Sequence, residues 1–182
     1  MEWIQKVSPC LKARIAGGFY LLAIVAGIVA VMAAGSLGSA ALSLATLCNI
    51  AVALLFYELF RPVNQGLSFL AALCGLASSI LGSLRWHPLD VDIGMIFFGL
   101  YCLLIGVLIL RSTFLPRILG VLMALAGLGW LTLLSPTLER NLSPLNMAFG
   151  ILGQVALTLW LLIAGVNAQR WQEQAGRTST NR

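Results

Sequence analysis

The chain has 182 residues, of which 60% are hydrophobic and only 9% are charged, and its formal net charge is +5. Soluble domains carry about 25% charged residues, so these few charges exclude a water-facing surface over most of the molecule and leave lipid as its main solvent. The positive balance does not by itself point to nucleic acid, because where the charges lie matters more than their sum.

A helix that crosses a bilayer needs about 20 mostly apolar residues, and the chain offers six such windows. The first is predicted near 14–34 (RIAGGFYLLAIVAGIVAVMAA), behind Lys6, Lys12 and Arg14. Basic residues ahead of an apolar run also begin a secretory signal peptide. The apolar stretch from Ile15 to Tyr57, however, far exceeds an h-region of about 7–15 residues, so this window is expected to be a retained span. GSLGS at 35–39 is predicted as a turn on its paired glycines and serines. The second span is predicted near 40–60 and runs into YELFRPVNQG (57–66), a hinge to the third span near 66–84. RWHPLDVD (85–92) then leads to the fourth span near 93–110. The fifth is predicted near 115–134 and the sixth near 145–167. Pro62, Pro88, Pro116, Pro136 and Pro144 all fall at these boundaries, where the missing N–H of proline does least harm. Residues 1–13 form an N-terminal segment and 168–182 a polar tail, expected to be solvated. The architecture expected is therefore an all-α integral membrane protein, a compact bundle of six transmembrane helices with short loops, in one domain spanning 14–167.

Loop arginines and lysines orient such a bundle. With the N-terminus inside, Lys6, Lys12, Arg14, Arg61, Arg111, Arg117, Arg170, Arg177 and Arg182 lie on the inner side and only Arg85 and Arg140 on the outer side. Both termini are thus expected in the cytoplasm. Helices in lipid pack through small residues. Ala26, Ala30 and Ala34 form such a stripe on the first span, and Ala71, Gly75, Ser79 and Ser83 on the third. Gly120 with Ala124, and Gly150 with Gly153, mark the fifth and sixth. Packing within one protomer is the expected use, with pairing of two copies as the alternative. A weak echo links LFRPVNQGLSFLAALCGL (59–76) and LRSTFLPRILGVLMALAGL (110–128). It fits either duplication of a helical hairpin or coincidence among Ala/Leu/Gly helices.

Few polar groups remain that a function could use. Glu58 and Arg61 share a helix face by their i, i+3 spacing. An interfacial ion pair is the plain reading, and a proton or cation site facing the cytoplasm is the sharper one. Asn49 and Gln154 lie mid-helix in the second and sixth spans. Neutral amides in lipid need partners, so both should face the bundle interior, either bonding between helices or lining a polar cavity with Asn146 and Thr158. The loop at 85–92 holds His87, Asp90 and Asp92, a set with acid–base or metal-binding chemistry. Loop structure and capping of the fourth helix by Asp90 is its plain reading. Cys10, Cys48, Cys74 and Cys102 form no CxxC pair and read as small hydrophobes. No hydrolase, Walker or dinucleotide signature is found, so no catalytic residue, metal or cofactor is assigned.

The segments ARIAGGFYLLAIVAGI, LFRPVNQGLSFLAAL and FFGLYCLLIGVLILRSTFLPRILGVLMALAGLGWL resemble the bacterial integral membrane family known as domain of unknown function 4386. The resemblance runs from Ala13 to Val166, and RSTFLPRILG is its most specific part. It implies a six-helix protein of the bacterial cytoplasmic (inner) membrane and carries no activity or site residues with it. The expected function is non-enzymatic: an association or lipid-binding protein or an accessory subunit. The expected partners are membrane lipids and a second copy or another membrane protein, with no nucleic acid. The alternative is a small transporter or permeation module for a proton, ion or amphiphile, built on Glu58, Asn49 and Gln154. A polar cavity reaching Asn49, Gln154 or Glu58 would separate the two readings.

Overall fold

The structure, a computed structural model, describes residues 8–84 and 93–180, without the side chains of 136, 137, 139 and 178–180. The described residues are helical, with no strand among them. In chain order the helices are α1 (Pro9–Met32), α2 (Gly35–Phe60), α3 (Gln65–Ser83), α4 (Ile93–Arg111), α5 (Arg117–Leu131), α6 (Pro136–Leu142), α7 (Leu145–Ile163) and α8 (Ala168–Thr180); a 3-10 turn, Thr132–Leu134, extends α5. Six of these segments are long and apolar enough to cross a membrane.

The helix ends follow local chemistry. α1 begins before the apolar run because the Ser8 side chain accepts a hydrogen bond from Leu11 N and Pro9 occupies the first turn, the arrangement proline favours. GSLGS is not a five-residue turn. The reversal is made at Ala33 and Ala34, with Gly35 at φ +70°, a left-handed conformation glycine adopts without strain. The serines that follow are already helical, and Ser39 and Ser43 bond carbonyls of their own helix. α3 begins where the Asn64 side chain accepts from Leu67 N at 2.9 Å.

The spans form a closed ring. α1 packs on α2 and α7, α2 on α3, α3 on α4, α4 on α5, and α5 on α7. The end of the ring where α1 starts and α7 finishes is here called the near end; the α1–α2 turn marks the far end. The near half of the interior is solid. Tyr20, Phe56, Phe60 and Phe114 follow one another edge to face or tilted, with ring centroids 6.1, 5.7 and 5.9 Å apart, separations typical of favourable aromatic pairs. Leu59, Ile105, Leu108, Ile109, Met123, Leu157 and Leu161 fill the space around them. The segment RSTFLPRILG has a structural reason in this core. Ser112 closes α4 by donating to Ile109 O, Phe114 and Leu115 are buried as a plug, Pro116 precedes α5, and Gly120 lies against the backbone of α4.

The polar tail is not free. It forms α8, which packs across the near end. Trp171 Nε1 donates to Leu59 O at 2.8 Å, the Gln174 side chain accepts from Thr113 N and Oγ1, and Arg170 donates to Thr113 O. Its sequence looked solvated because Ala168, Trp171 and Ala175 are its only apolar side chains, too few to register as an apolar stripe.

Candidate functional site

The small-residue stripes do two different things along their length. On α3, Ala71 and Gly75 are packed: a Cβ on Gly75 would lie 3.0 Å from Ala53 Cβ and 3.1 Å from the Tyr101 ring. One and two turns further towards the far end, Ser79 and Ser83 of the same stripe face a cavity of about 490 Å³. Ala30 of the α1 stripe lines it too, whereas Ala26 is buried. By contrast, Gly120 with Ala124 and Gly150 with Gly153 pack α5 against α4 and α7 against α5, as expected for contacts within one protomer.

The cavity is an open cleft lined by the far halves of α1, α2, α3 and α4. Its size falls in the range of small-ligand pockets, about 300–1,000 Å³. Along α1 it reaches from Ala23 to Val31, about 12 Å at the helical rise. Along α2 it ends at Asn49, 14 residues into a 26-residue helix, and so near the middle of the span. Gly27 and Gly82 line it, and a Cβ built on either meets nothing within 4 Å. Phe98 forms one wall, held by stacking on Tyr101 at 6.2 Å and an edge contact with Trp130. A depression of about 930 Å³ at the α1–α2 turn adjoins it, sharing Ala30, Val31, Leu42, Thr46 and Ser83.

The polar lining has a definite character. Thr46, Ser79 and Ser83 donate their hydroxyl protons to carbonyls of their own helices, which leaves oxygen lone pairs as acceptors for anything in the cavity. Asn49 and Ser78 have no hydrogen-bond partner among the described residues, so the donors come from the Asn49 amide and the Ser78 hydroxyl. No lining residue among those described carries a charge. Such a site suits an uncharged group that both donates and accepts hydrogen bonds, attached to apolar bulk that fills the Ala, Gly, Met95 and Phe98 surface.

The other candidate residues lie elsewhere. Gln154 is buried on α7 with Thr158 one turn on. The Gln154 Nε2 and Thr158 Oγ1 atoms lack partners among the described residues, and neither residue lines the cavity with Asn49. Asn146 is satisfied, since its Nδ2 donates to Thr132 Oγ1 at 2.9 Å. Glu58 is half-buried near the end of α2, and Arg61, just past the helix end, is exposed; the two form no ion pair with each other. His87, Asp90 and Asp92 lie outside the described residues. Thr46, Ser78 and Phe98 were not singled out from sequence, and Ser79 was read only as part of a packing stripe. The available signal was the i, i+3 spacing of Thr46 and Asn49 together with the polar cluster at 78–83.

Two further hydroxyls, those of Tyr20 and Tyr101, are buried in the core with no partner among the described residues. A buried unpaired polar group costs about 1–3 kcal/mol. Tyr101→Phe therefore raises stability by about 1 kcal/mol and the thermal midpoint in detergent by about 2–4 °C. A lowered midpoint would show that this hydroxyl makes a bond in the folded protein.

Residues 82–165, a little under half of the chain, match the family described as Domain of unknown function (DUF4386). The match includes RSTFLPRILG; the segments quoted from α1 and the α2–α3 hinge lie outside it. An uncharacterized protein of Archaeoglobus fulgidus is 27% identical over 126 residues, covering 64% of this chain and 76% of that protein. No solved structure matches the chain significantly.

Proposed function

We propose that the protein is a non-enzymatic membrane protein that binds a neutral amphiphile in the cavity ending at Asn49. The observation that carries this reading is the cavity itself. It is large enough for a lipid-like group, free of described charge, mostly apolar in lining with a minority of hydroxyl and amide groups, and open on glycine faces that need no side chain removed. The distribution of arginine and lysine among the loops supports placing both termini in the cytoplasm, so the cavity would open from the opposite leaflet. The family resemblance supports a bacterial cytoplasmic membrane.

Permeation is less well supported. A path from Asn49 to the near end would have to pass Tyr20, Phe56 and Phe60, all fully buried and in mutual contact. Glu58 lies beyond that plug, and the cavity does not reach it. Binding without passage fits this interior better.

The test is native mass spectrometry of the purified protein, titrated with a monoacylglycerol. The wild type is expected to retain one molecule. Asn49→Leu, which keeps the side-chain bulk and removes the amide, is expected to weaken binding about tenfold, the equivalent of about 1.4 kcal/mol for a lost hydrogen-bonded contact. Equal affinity in the two proteins would remove Asn49 from the site.

A further inference from the structure

A second pocket, of about 410 Å³, lies at the near end, on the other half of the ring. Its walls come from the α4–α5 loop (Thr113 to Pro116), the end of α7 with Trp160, and the α7–α8 turn from Ala164 to Arg170. Arginines outnumber carboxylates around it, with Glu58 and Glu173 the acids described at this end. Arg14, Arg61, Arg111, Arg117, Arg170 and Arg177 are all exposed at this end and none forms an ion pair among the described residues. Two of them bracket the pocket. Arg170 lines it and donates one guanidinium N–H to Thr113 O at 3.4 Å, which leaves its other donors uncommitted. Arg14 reaches the same turn from α1, donating to Ile163 O at 3.4 Å next to Ala164. Both hold their guanidinium groups in place through backbone carbonyls rather than through carboxylates, so their charge is not neutralised. Trp160, 40% exposed, forms the wall on the lipid-facing side, where an indole sits favourably between headgroups and acyl chains.

We propose that this pocket binds the phosphodiester headgroup of an anionic membrane phospholipid, with Arg170 and Arg14 as its charge contacts and Trp160 beside the first carbons of an acyl chain. Basic pockets between membrane helices at the headgroup level recognise such lipids. The site is separate from the cavity at Asn49 and does not depend on it: the cavity offers no described charge, whereas Arg170 lines this pocket and Arg14 is held beside it.

The test uses the full-length protein in a neutral detergent, with native mass spectrometry reading competition between phosphatidylglycerol and phosphatidylcholine. Phosphatidylglycerol is expected to bind about fivefold more tightly. Arg170→Gln is expected to remove most of that preference. Arg177→Gln, the same loss of charge on the same helix but outside the pocket, should keep it. If Arg170→Gln does not fold, Arg14→Gln serves the same comparison. Inorganic phosphate in millimolar excess should fail to displace the lipid. Equal binding of the two lipids, or equal effects of the Arg170 and Arg177 substitutions, would overturn the site. Displacement by phosphate would overturn the lipid and point to a soluble anion.

Discussion

Gly127→Ala is expected to lower the thermal midpoint of the purified protein by about 5–10 °C, from a loss of about 2–3 kcal/mol. α4 and α5 touch through backbone at two places. A Cβ on Gly127 would lie 2.7 Å from Gly99 O and 2.7 Å from Leu103 N, and a Cβ on Gly120 would lie 2.9 Å from Gly106 O. None of these atoms belongs to a flexible side chain, so the helices must separate to admit even one methyl group. In lipid that separation is costly, because close packing is the main force holding such helices together. Gly18→Ala provides the opposite sign. Nothing lies within 4 Å of a Cβ there, so the gain in helix propensity, about 0.5–1 kcal/mol, should raise the midpoint. Equal shifts for the two substitutions, read by circular dichroism during heating, would refute the close approach of α4 and α5.

Gly82→Leu is expected to abolish monoacylglycerol binding while leaving the midpoint unchanged or slightly raised. The new side chain enters the cavity at a point where a Cβ meets no other atom, and leucine favours the helix over glycine by about 0.8–1 kcal/mol. The lost volume lies beside Ser78, Ser79 and Ser83 on the same helix, where the bound molecule is proposed to sit. Gly27→Leu blocks the same space from α1 and should act alike. A variant that is stable and still binds with wild-type affinity would mean that the ligand sits elsewhere. Because Gly82→Leu changes shape and Asn49→Leu changes polarity, agreement between them would separate occupancy of the cavity from a general effect on the fold.

The spans were legible in the sequence because length and hydropathy are properties of a segment alone. The role of each stripe was not. Ala71, Gly75, Ser79 and Ser83 recur at one helical spacing, yet the first two pack against neighbours and the last two face open space. Periodicity names the face of a helix and says nothing of what stands opposite it. The same limit applies to Asn49 and Gln154. Both were expected to face inward, and which of them meets a cavity depends on how α1 to α4 diverge at the far end. Glu58 and Arg61 had the spacing of a pair, and Arg61 keeps helical dihedrals with its N–H bonded to Tyr57 O, yet the two form no ion pair: spacing puts two side chains on one face and does not make them meet. α8 was missed because its attachment rests on one indole and one amide rather than on an apolar face.

The contact of α1 with α7 bears on how the molecule is assembled. Every other adjacent pair in the ring joins spans that are consecutive or nearly so along the chain, whereas this pair joins the first span made to the last. A nascent chain halted after α5 would therefore hold an open arc, with the α7-facing side of α1 unprotected, including Gly17, against which Leu161 and Leu162 pack in the finished protein. Closure must wait for the final span, and contacts of such long sequence separation form slowly. The same geometry brings the start of α1 beside the α7–α8 turn, where the Cys10 sulfur sits 2.8 Å from the Cβ position of Gly165. Joining residue 180 to residue 8 through a linker long enough to retrace the 13 residues of α8, and opening the chain at the α1–α2 turn, would leave every pair of neighbouring spans intact, and such a permuted chain should insert and fold.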